Sequence, residues 1–127
     1  MKRRQLLHSR LSGLIAGLGH GDLIVIGDAG LPVPRGVECV DLAVTRGVPG
    51  IFDVLDAILS EMVVERSLLA TEAPADLVKQ FATRQIGTLD RASHDDFKRK
   101  SAGALAVVRT GEFTPYANIC LWSGVAF

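Results

Sequence analysis

Apolar positions recur along this chain with two periods. Leu7, Leu11, Leu14, Ile15 and Leu18 fall at helical spacing, which predicts an amphipathic helix over 9–18 with Ser9 as N-cap and Gly19 as its stop. Leu23-Ile24-Val25-Ile26 is a short uninterrupted apolar run between glycine-rich turns, the pattern of a buried strand. Pro32 and Pro34 exclude a helix and predict a rigid loop behind it. Val37 to Val44 alternates loosely as a second strand, and Ile51, Val54, Leu55, Ile58 and Leu59 repeat as the core face of a second helix. A third strand is expected over 61–70, then a helix whose first turn holds Pro74 and whose apolar side is Leu77, Val78 and Phe81. Residues 85–91 read as a short strand interrupted by Gly87.

Ser93 fits the N-cap of a last helix that begins with Asp95 and Asp96 and closes with Lys98, Arg99 and Lys100, the charge order the helix dipole favours. Two closely spaced strands, over 104–109 and 118–125, finish the chain. Strands alternating with helices predict an α/β fold, and the close spacing of the last two predicts a mixed rather than a purely parallel sheet.

Length and composition narrow this picture. A chain of 127 residues is one ordinary domain, 1–127, that buries roughly two thirds of its unfolded surface. Fourteen Lys and Arg balance fourteen Asp and Glu, so there is no electrostatic footprint for nucleic acid or anionic lipid. A neutral small molecule or another protein is the expected partner. Cys39 and Cys120 both lie in apolar runs and are expected to be buried free thiols. The basic first residues lack an apolar core of signal-peptide length, and no apolar stretch approaches 18 residues; a cytoplasmic protein with no membrane partner is the expectation.

Candidate chemistry gathers in three turns: His20 with Asp22 and Asp28, His94 with Asp95, and Tyr116 with Asn118. Imidazole, carboxylate, phenol and amide together suit a sugar, which needs donors and acceptors for several hydroxyls and one group that moves a proton near neutral pH. Each residue also has a plainer reading. His20 fits a surface or capping role, Asp28 between small residues fits an Asx-turn, and Tyr116 fits a loop aromatic. His94 at a helix start fits a neutral hydrogen-bonding group. Asp53 and Asp56 read as a solvated helix face.

Eight residues of extended chain separate His20 from Asp28 by up to ~27 Å, so the two need not share a site within one subunit. Other chemistries fit poorly. Gly17-Leu18-Gly19-His20-Gly21 precedes its strand and lacks the dinucleotide fingerprint, and no Walker-type lysine is present. His8, His20 and His94 are isolated rather than at metal-ligand spacing, and no Ser or Cys sits in a nucleophile elbow. Cofactor-free acid/base chemistry or plain binding remains.

Five blocks in order carry a resemblance: Leu-Gly-His-Gly-Asp (18–22), Asp-Ala-Gly-Leu-Pro-Val-Pro (28–34), Val-Asp-Leu-Ala-Val-Thr-Arg-Gly-Val-Pro (40–49), Ser-His-Asp-Asp-Phe-Lys (93–98) and Val-Val-Arg-Thr-Gly-Glu-Phe-Thr-Pro-Tyr-Ala-Asn-Ile (107–119). They resemble the D-ribose pyranase family, sister to the fucose mutarotases, from the first helix to the C-terminal Gly-Val-Ala-Phe; the 70–91 stretch is shorter than the family pattern. The resemblance implies a three-layer α/β/α sandwich and a ring-like homo-oligomer with pockets at subunit interfaces. It implies His20 as proton donor, Asp28, His94, Tyr116 and Asn118 as contacts to a monosaccharide, and a backbone contact from Ala117. Asp-Ala-Gly-Leu-Pro with Tyr-Ala-Asn resembles the ribose branch rather than the fucose branch. Interconversion of β-D-ribopyranose and β-D-ribofuranose is the activity implied. A mutarotase for fucose or another aldose, a sugar-binding accessory without turnover, and an interaction module remain as alternatives.

Overall fold

A computed structural model describes residues 1–127. In chain order it contains α1 (Ser9–Ala16), β1 (Leu23–Gly27), β2 (Glu38–Asp41), α2 (Ile51–Leu59), β3 (Val64–Ala70), α3 (Ala75–Ala82), β4 (Thr88–Ala92), α4 (His94–Ser101), β5 (Ala106–Arg109) and β6 (Ile119–Ser123). The strands form one sheet in the order β2-β5-β1-β6-β3-β4. Only β6 runs against its neighbours.

The alternation of side chains along β1 divides the interior into two layers. Ile24 and Ile26 enter a cluster of 21 buried residues with Leu11 and Leu14 of α1, Ile51, Val54, Leu55 and Ile58 of α2, and Leu77 and Phe81 of α3. Leu23 and Val25 face the other way, into a cluster of 8 with Leu31, Leu68, Val107, Cys120 and Phe97 of α4. Three helices thus cover one face and one helix the other, giving the expected α/β/α sandwich with unequal layers. All five residues of β1 are buried, as befits a central strand flanked on both sides.

The sheet is mixed, but not through a terminal hairpin. β5 and β6 do not pair with each other; both pair with β1, β5 in parallel and β6 antiparallel. The chain between them therefore crosses the C-terminal end of β1. Thr110 pins this crossing, its amide and hydroxyl both donating to the Gly27 carbonyl at 3.0 and 2.8 Å. The Ala29 amide donates to the Glu112 carbonyl at 2.9 Å.

Element ends differ from the sequence expectation for identifiable reasons. The His8 ring, not Ser9, caps α1: its Nδ1 accepts from the Leu11 amide at 3.2 Å. The helix stops at Gly17 rather than Gly19, whose amide is committed to Asp22 Oδ2 at 2.8 Å. β2 ends at Asp41 because Asp41 Oδ1 takes the Ala43 amide in an Asx-turn, and Val44 then enters a narrow loop with Val48. β3 starts at Val64 because the Glu61 and Met62 amides still bond Ile58 at the end of α2. Ser93 caps α4 as expected, its Oγ accepting from the Asp96 amide at 3.1 Å.

The two cysteines part company. Cys120, on β6, is fully buried, and burial pushes its thiol up to about 12. Cys39 is exposed, contrary to the sequence expectation. It lies on the edge strand β2, on the face where α4 packs chiefly over β1 and β3.

Candidate functional site

The crossing segment 110–118 and the turn after β1 build a cleft at the C-terminal end of that strand. Its volume is about 210 Å³, and Asp28, Leu31, His94, Pro115, Tyr116 and Asn118 are among its lining residues. A neighbouring depression of about 330 Å³ shares Asp28, Gly30 and Pro115 with it and extends to Glu112 and Phe113. Four residues singled out from three separate turns of the sequence thus come together.

Each is fixed by a specific contact. Asp28 forms the Asx-turn its neighbours suggested: Oδ1 accepts from the Gly30 amide at 2.9 Å, and Oδ2 makes no hydrogen bond within the chain. The Asp28 amide donates to Asn118 Oδ1 at 2.7 Å, joining the turn after β1 to the start of β6. Gly27 makes this approach possible, since a Cβ there would lie 2.6 Å from Leu31 Cδ2 and 3.2 Å from Asn118 Oδ1. His94 opens α4, and its amide donates to both Glu72 oxygens at 3.0 Å. The Thr71 hydroxyl and that amide hold the Glu72 carboxyl below its ordinary range.

The His94 ring stands edge-on to Tyr116, with centroids 5.2 Å apart, and stacks on Phe97 at 6.2 Å. Tyr116 is the one non-glycine residue with a positive φ, 62°. Such backbone is strained and persists where surrounding structure holds it, commonly at ligand sites. Glu112 braces the crossing: its carboxylate accepts from the Ile51 amide at 3.1 Å and the Thr114 hydroxyl at 2.7 Å. Partial burial opposes its ionisation, but these donors outweigh burial and leave its carboxyl below the ordinary range.

Two buried polar atoms in the cleft lack any partner, His94 Nδ1 and Asn118 Nδ2. Burying a polar atom without a hydrogen bond costs roughly 1–3 kcal/mol, so orphans are rare in native interiors and point to a missing ligand or water. With Asp28 Oδ2 and the Tyr116 hydroxyl they offer several polar groups in a small space, suited to a polyhydroxylated molecule.

Ala117 is placed differently. Its methyl is buried in the larger core cluster and its amide donates to the Thr114 carbonyl at 3.3 Å.

His20 lies at the other end of β1. Five residues of strand, roughly 13 Å of rise, separate its turn from the cleft. Its Nε2 is 2.7 Å from Glu65 Oε2, and its side chain is largely exposed. Asp22, grouped with it in the sequence, shapes the turn through the Gly19 amide. Glu65 and Glu72 carried no local signal in the sequence, because their partners are 45 and 22 residues away. No group of three or more His, Cys, Asp or Glu side chains is placed to hold a metal ion, and no helix is long and apolar enough to cross a membrane.

Comparison with known proteins gives these features a family. Residues 1–126 match the RbsD / FucU transport protein family. The D-ribose pyranase of Variovorax paradoxus is 54% identical over 132 residues, and that of Paracidovorax citrulli 56% over 131, each alignment covering all of both chains. The structure of Bacillus subtilis RbsD complexed with D-ribose superposes with a TM-score of 0.94 at 41% identity over the whole of both chains. A fucose mutarotase from Streptococcus pneumoniae, in complex with L-fucose, shares the fold at a TM-score of 0.78 and 24% identity, again over both whole chains. With nearly its whole length matched and more than half of its residues shared with such relatives, the chain belongs to the RbsD / FucU transport protein family.

Proposed function

We propose that this chain is a D-ribose pyranase, an isomerase that interconverts β-D-ribopyranose and β-D-ribofuranose as a single domain over residues 1–127. The observation that carries the reading is the pair of orphaned buried atoms, His94 Nδ1 and Asn118 Nδ2, beside Asp28 Oδ2 in a cleft of monosaccharide size. The full-length relatives named D-ribose pyranase support ribose as the sugar.

The chemistry follows from the substrate. A cyclic aldose is a hemiacetal, so opening it requires a proton on the ring oxygen and loss of the anomeric hydroxyl proton. His20, as imidazolium, donates to the ring oxygen while the bond from that oxygen to C1 breaks. His94 Nδ1, or a water it holds, takes the anomeric proton, and C1 becomes the aldehyde carbon. Reclosure runs the same steps in reverse through the 4-hydroxyl, which yields the five-membered ring. Asp28, Tyr116 and Asn118 hold the remaining hydroxyls, and a backbone group of Ala117 supports one of them. Histidine suits the donor role because its ordinary pKa, about 6.5, lets it give and regain a proton near neutral pH.

His20 and the cleft occupy opposite ends of one strand, so the acid must reach the sugar from a second copy of the chain. A ring-like homo-oligomer with the cleft at each interface supplies that geometry. Exposed Val44, Val48 and Phe113 near the cleft are apolar surface that such an interface would cover.

Proton exchange spectroscopy on D-ribose at equilibrium tests the activity. The protein is expected to speed magnetisation transfer between pyranose and furanose anomeric signals, and His20→Ala to slow it by about 10²-fold or more while ribose still binds. Ribose that binds with no faster exchange would make the protein a binder and overturn the proposal.

A further inference from the structure

The strand that carries Glu65 is irregular at that residue and nowhere else in its pairing with β6. Val64 pairs with Ser123 and Arg66 with Trp122, so two steps along β3 match one along β6, and Glu65 is the extra residue of a β-bulge. Bulges bend a strand and re-aim a side chain, and they collect beside active sites. Here the bulged residue is the one whose carboxylate lies 2.7 Å from His20 Nε2.

Three features hold it there. A Cβ on Gly87, which has a φ of +65°, would lie 2.3 Å from the Glu65 carbonyl carbon and oxygen, so only glycine lets the neighbouring turn close on this backbone. A Cβ on Gly124 would lie 3.2 Å from Glu65 Cβ. The Arg66 guanidinium lies over the Trp122 ring, 4.2 Å from its centroid, which anchors the next residue.

The His20 turn is referenced to the same place. The Gly21 amide donates to the Ser123 carbonyl and the Ser123 amide to the Asp22 carbonyl, each at 2.8 Å, while the Gly124 amide donates to the Val63 carbonyl at 2.9 Å. The end of β6 thus fixes the histidine turn on one side and the start of β3 on the other.

The pair is too exposed to be a device for stability. Its side chains are 61% and 45% accessible, and ion pairs in that setting add little to folding. A carboxylate only accepts, so it requires Nε2 to be the protonated ring nitrogen, and Nδ1 is left as the nitrogen that exchanges protons. A carboxylate in that position orients an imidazole, selects its tautomer and offsets the positive charge the ring carries while it holds a second proton.

We propose that Glu65 is the positioning residue of His20, aimed by the β-bulge so that the imidazole presents Nδ1 to the sugar in a neighbouring copy. The proposal rests on the ring-opening function given above. It adds to the site a carboxylate that touches no substrate.

Two substitutions separate its charge from its hydrogen bond. Glu65→Ala removes both, and Glu65→Gln keeps an acceptor oxygen but loses the charge. Exchange spectroscopy on D-ribose gives kcat and KM, and long-range proton–nitrogen spectra of the ring nitrogens, assigned with His20→Ala, give the tautomer of neutral His20. In E65A kcat is expected to fall about ten-fold or more, part of the typical ~10²–10⁴-fold worth of acid/base catalysis, with KM within about two-fold. The His20 nitrogen shifts should move away from a protonated Nε2. E65Q should retain the tautomer and lie between E65A and wild type in kcat.

An active wild type with E65A equal to it in kcat, or with unchanged His20 nitrogen shifts, overturns the assignment of Glu65 alone. A rise in KM at constant kcat also overturns it, since that would make Glu65 a binding residue. A wild type that binds ribose without faster exchange overturns the function itself and this proposal with it.

Discussion

Asn118 joins the fold to the site through two atoms with different tasks, and its replacement by alanine tests both. Asn118 is 1% exposed, and its Oδ1 is the acceptor for the Asp28 amide at 2.7 Å. Removing the side chain strands that amide at a cost of about 1–3 kcal/mol, to which a small unfilled cavity adds. A loss of ~2 kcal/mol in a 127-residue chain lowers the melting temperature by roughly 8 °C at fixed protein concentration. Nδ2 is the atom without a partner, so the same substitution removes a donor from the cleft.

If Nδ2 and Asp28 hold the sugar as proposed, one lost hydrogen bond with a displaced Asp28 should weaken ribose binding by about ten-fold. Asn118→Asp isolates the second task, because it keeps an acceptor for the Asp28 amide while replacing the donor with a carboxylate oxygen beside another carboxylate. Urea denaturation followed by circular dichroism gives the stability, and calorimetric titration gives the ribose affinity. The account expects N118A to lose both and N118D to lose affinity. It is refuted if N118A unfolds within about 0.5 kcal/mol of wild type, the ordinary scatter of surface substitutions, or if both variants bind ribose as wild type does.

Three further outcomes follow from packing and burial. Gly87→Ala drives a Cβ into the Glu65 backbone at a positive φ and should cost roughly 2–5 kcal/mol in urea denaturation; a variant of wild-type stability would show that the turn is slack. A thiol reagent should label one cysteine, Cys39, in the folded protein and both in urea, because Cys120 is buried and Cys39 exposed. Burial holds the Cys120 thiol neutral up to about 12 against an ordinary 9.0, so its contribution to stability is complete below pH 9 and declines above it by about 1.4 kcal/mol per pH unit. A Cys120→Ala variant should lack that alkaline slope, and an unchanged slope would assign it to other groups.

The parts of this structure that a reader of the sequence could foresee are those set by near neighbours. The apolar run Leu23 to Ile26 specified a central strand, and the spacing of Ile51, Val54, Leu55 and Ile58 specified α2. Ser93 followed by Asp95 and Asp96 marked the start of α4 to the residue. The α/β class and the mixed sheet were legible as well, although the position of β6 was not. Its antiparallel seat between β1 and β3 depends on long-range pairing, and that seat carries the 110–118 segment across the end of β1.

The candidate site was legible as residue types before it was legible as a place. Asp28, His94, Tyr116 and Asn118 stood out as polar residues in turns, and the fold gathers them. Glu65, Glu72 and Glu112 did not stand out, since each acts through partners distant in sequence or through a bulge that periodicity does not reveal. Cys39 was misread because an apolar strand at a sheet edge looks, in sequence, like one at the centre. The separation of His20 from Asp28 by a strand was visible from chain length alone, and it is the feature on which the proposed mechanism turns.

That separation makes the central claim directly measurable. His20→Ala and Asp28→Ala should each be inactive in pyranose–furanose exchange, one for want of the acid and the other for want of a sugar contact. Unfolded together in equal amounts and refolded as mixed oligomers, they should recover about one quarter of wild-type activity, because each proposed interface site would need an intact His20 from one copy and an intact Asp28 from the other. A mixture as silent as its parents would contradict a site shared between copies and return the search for the acid to the residues around the cleft itself.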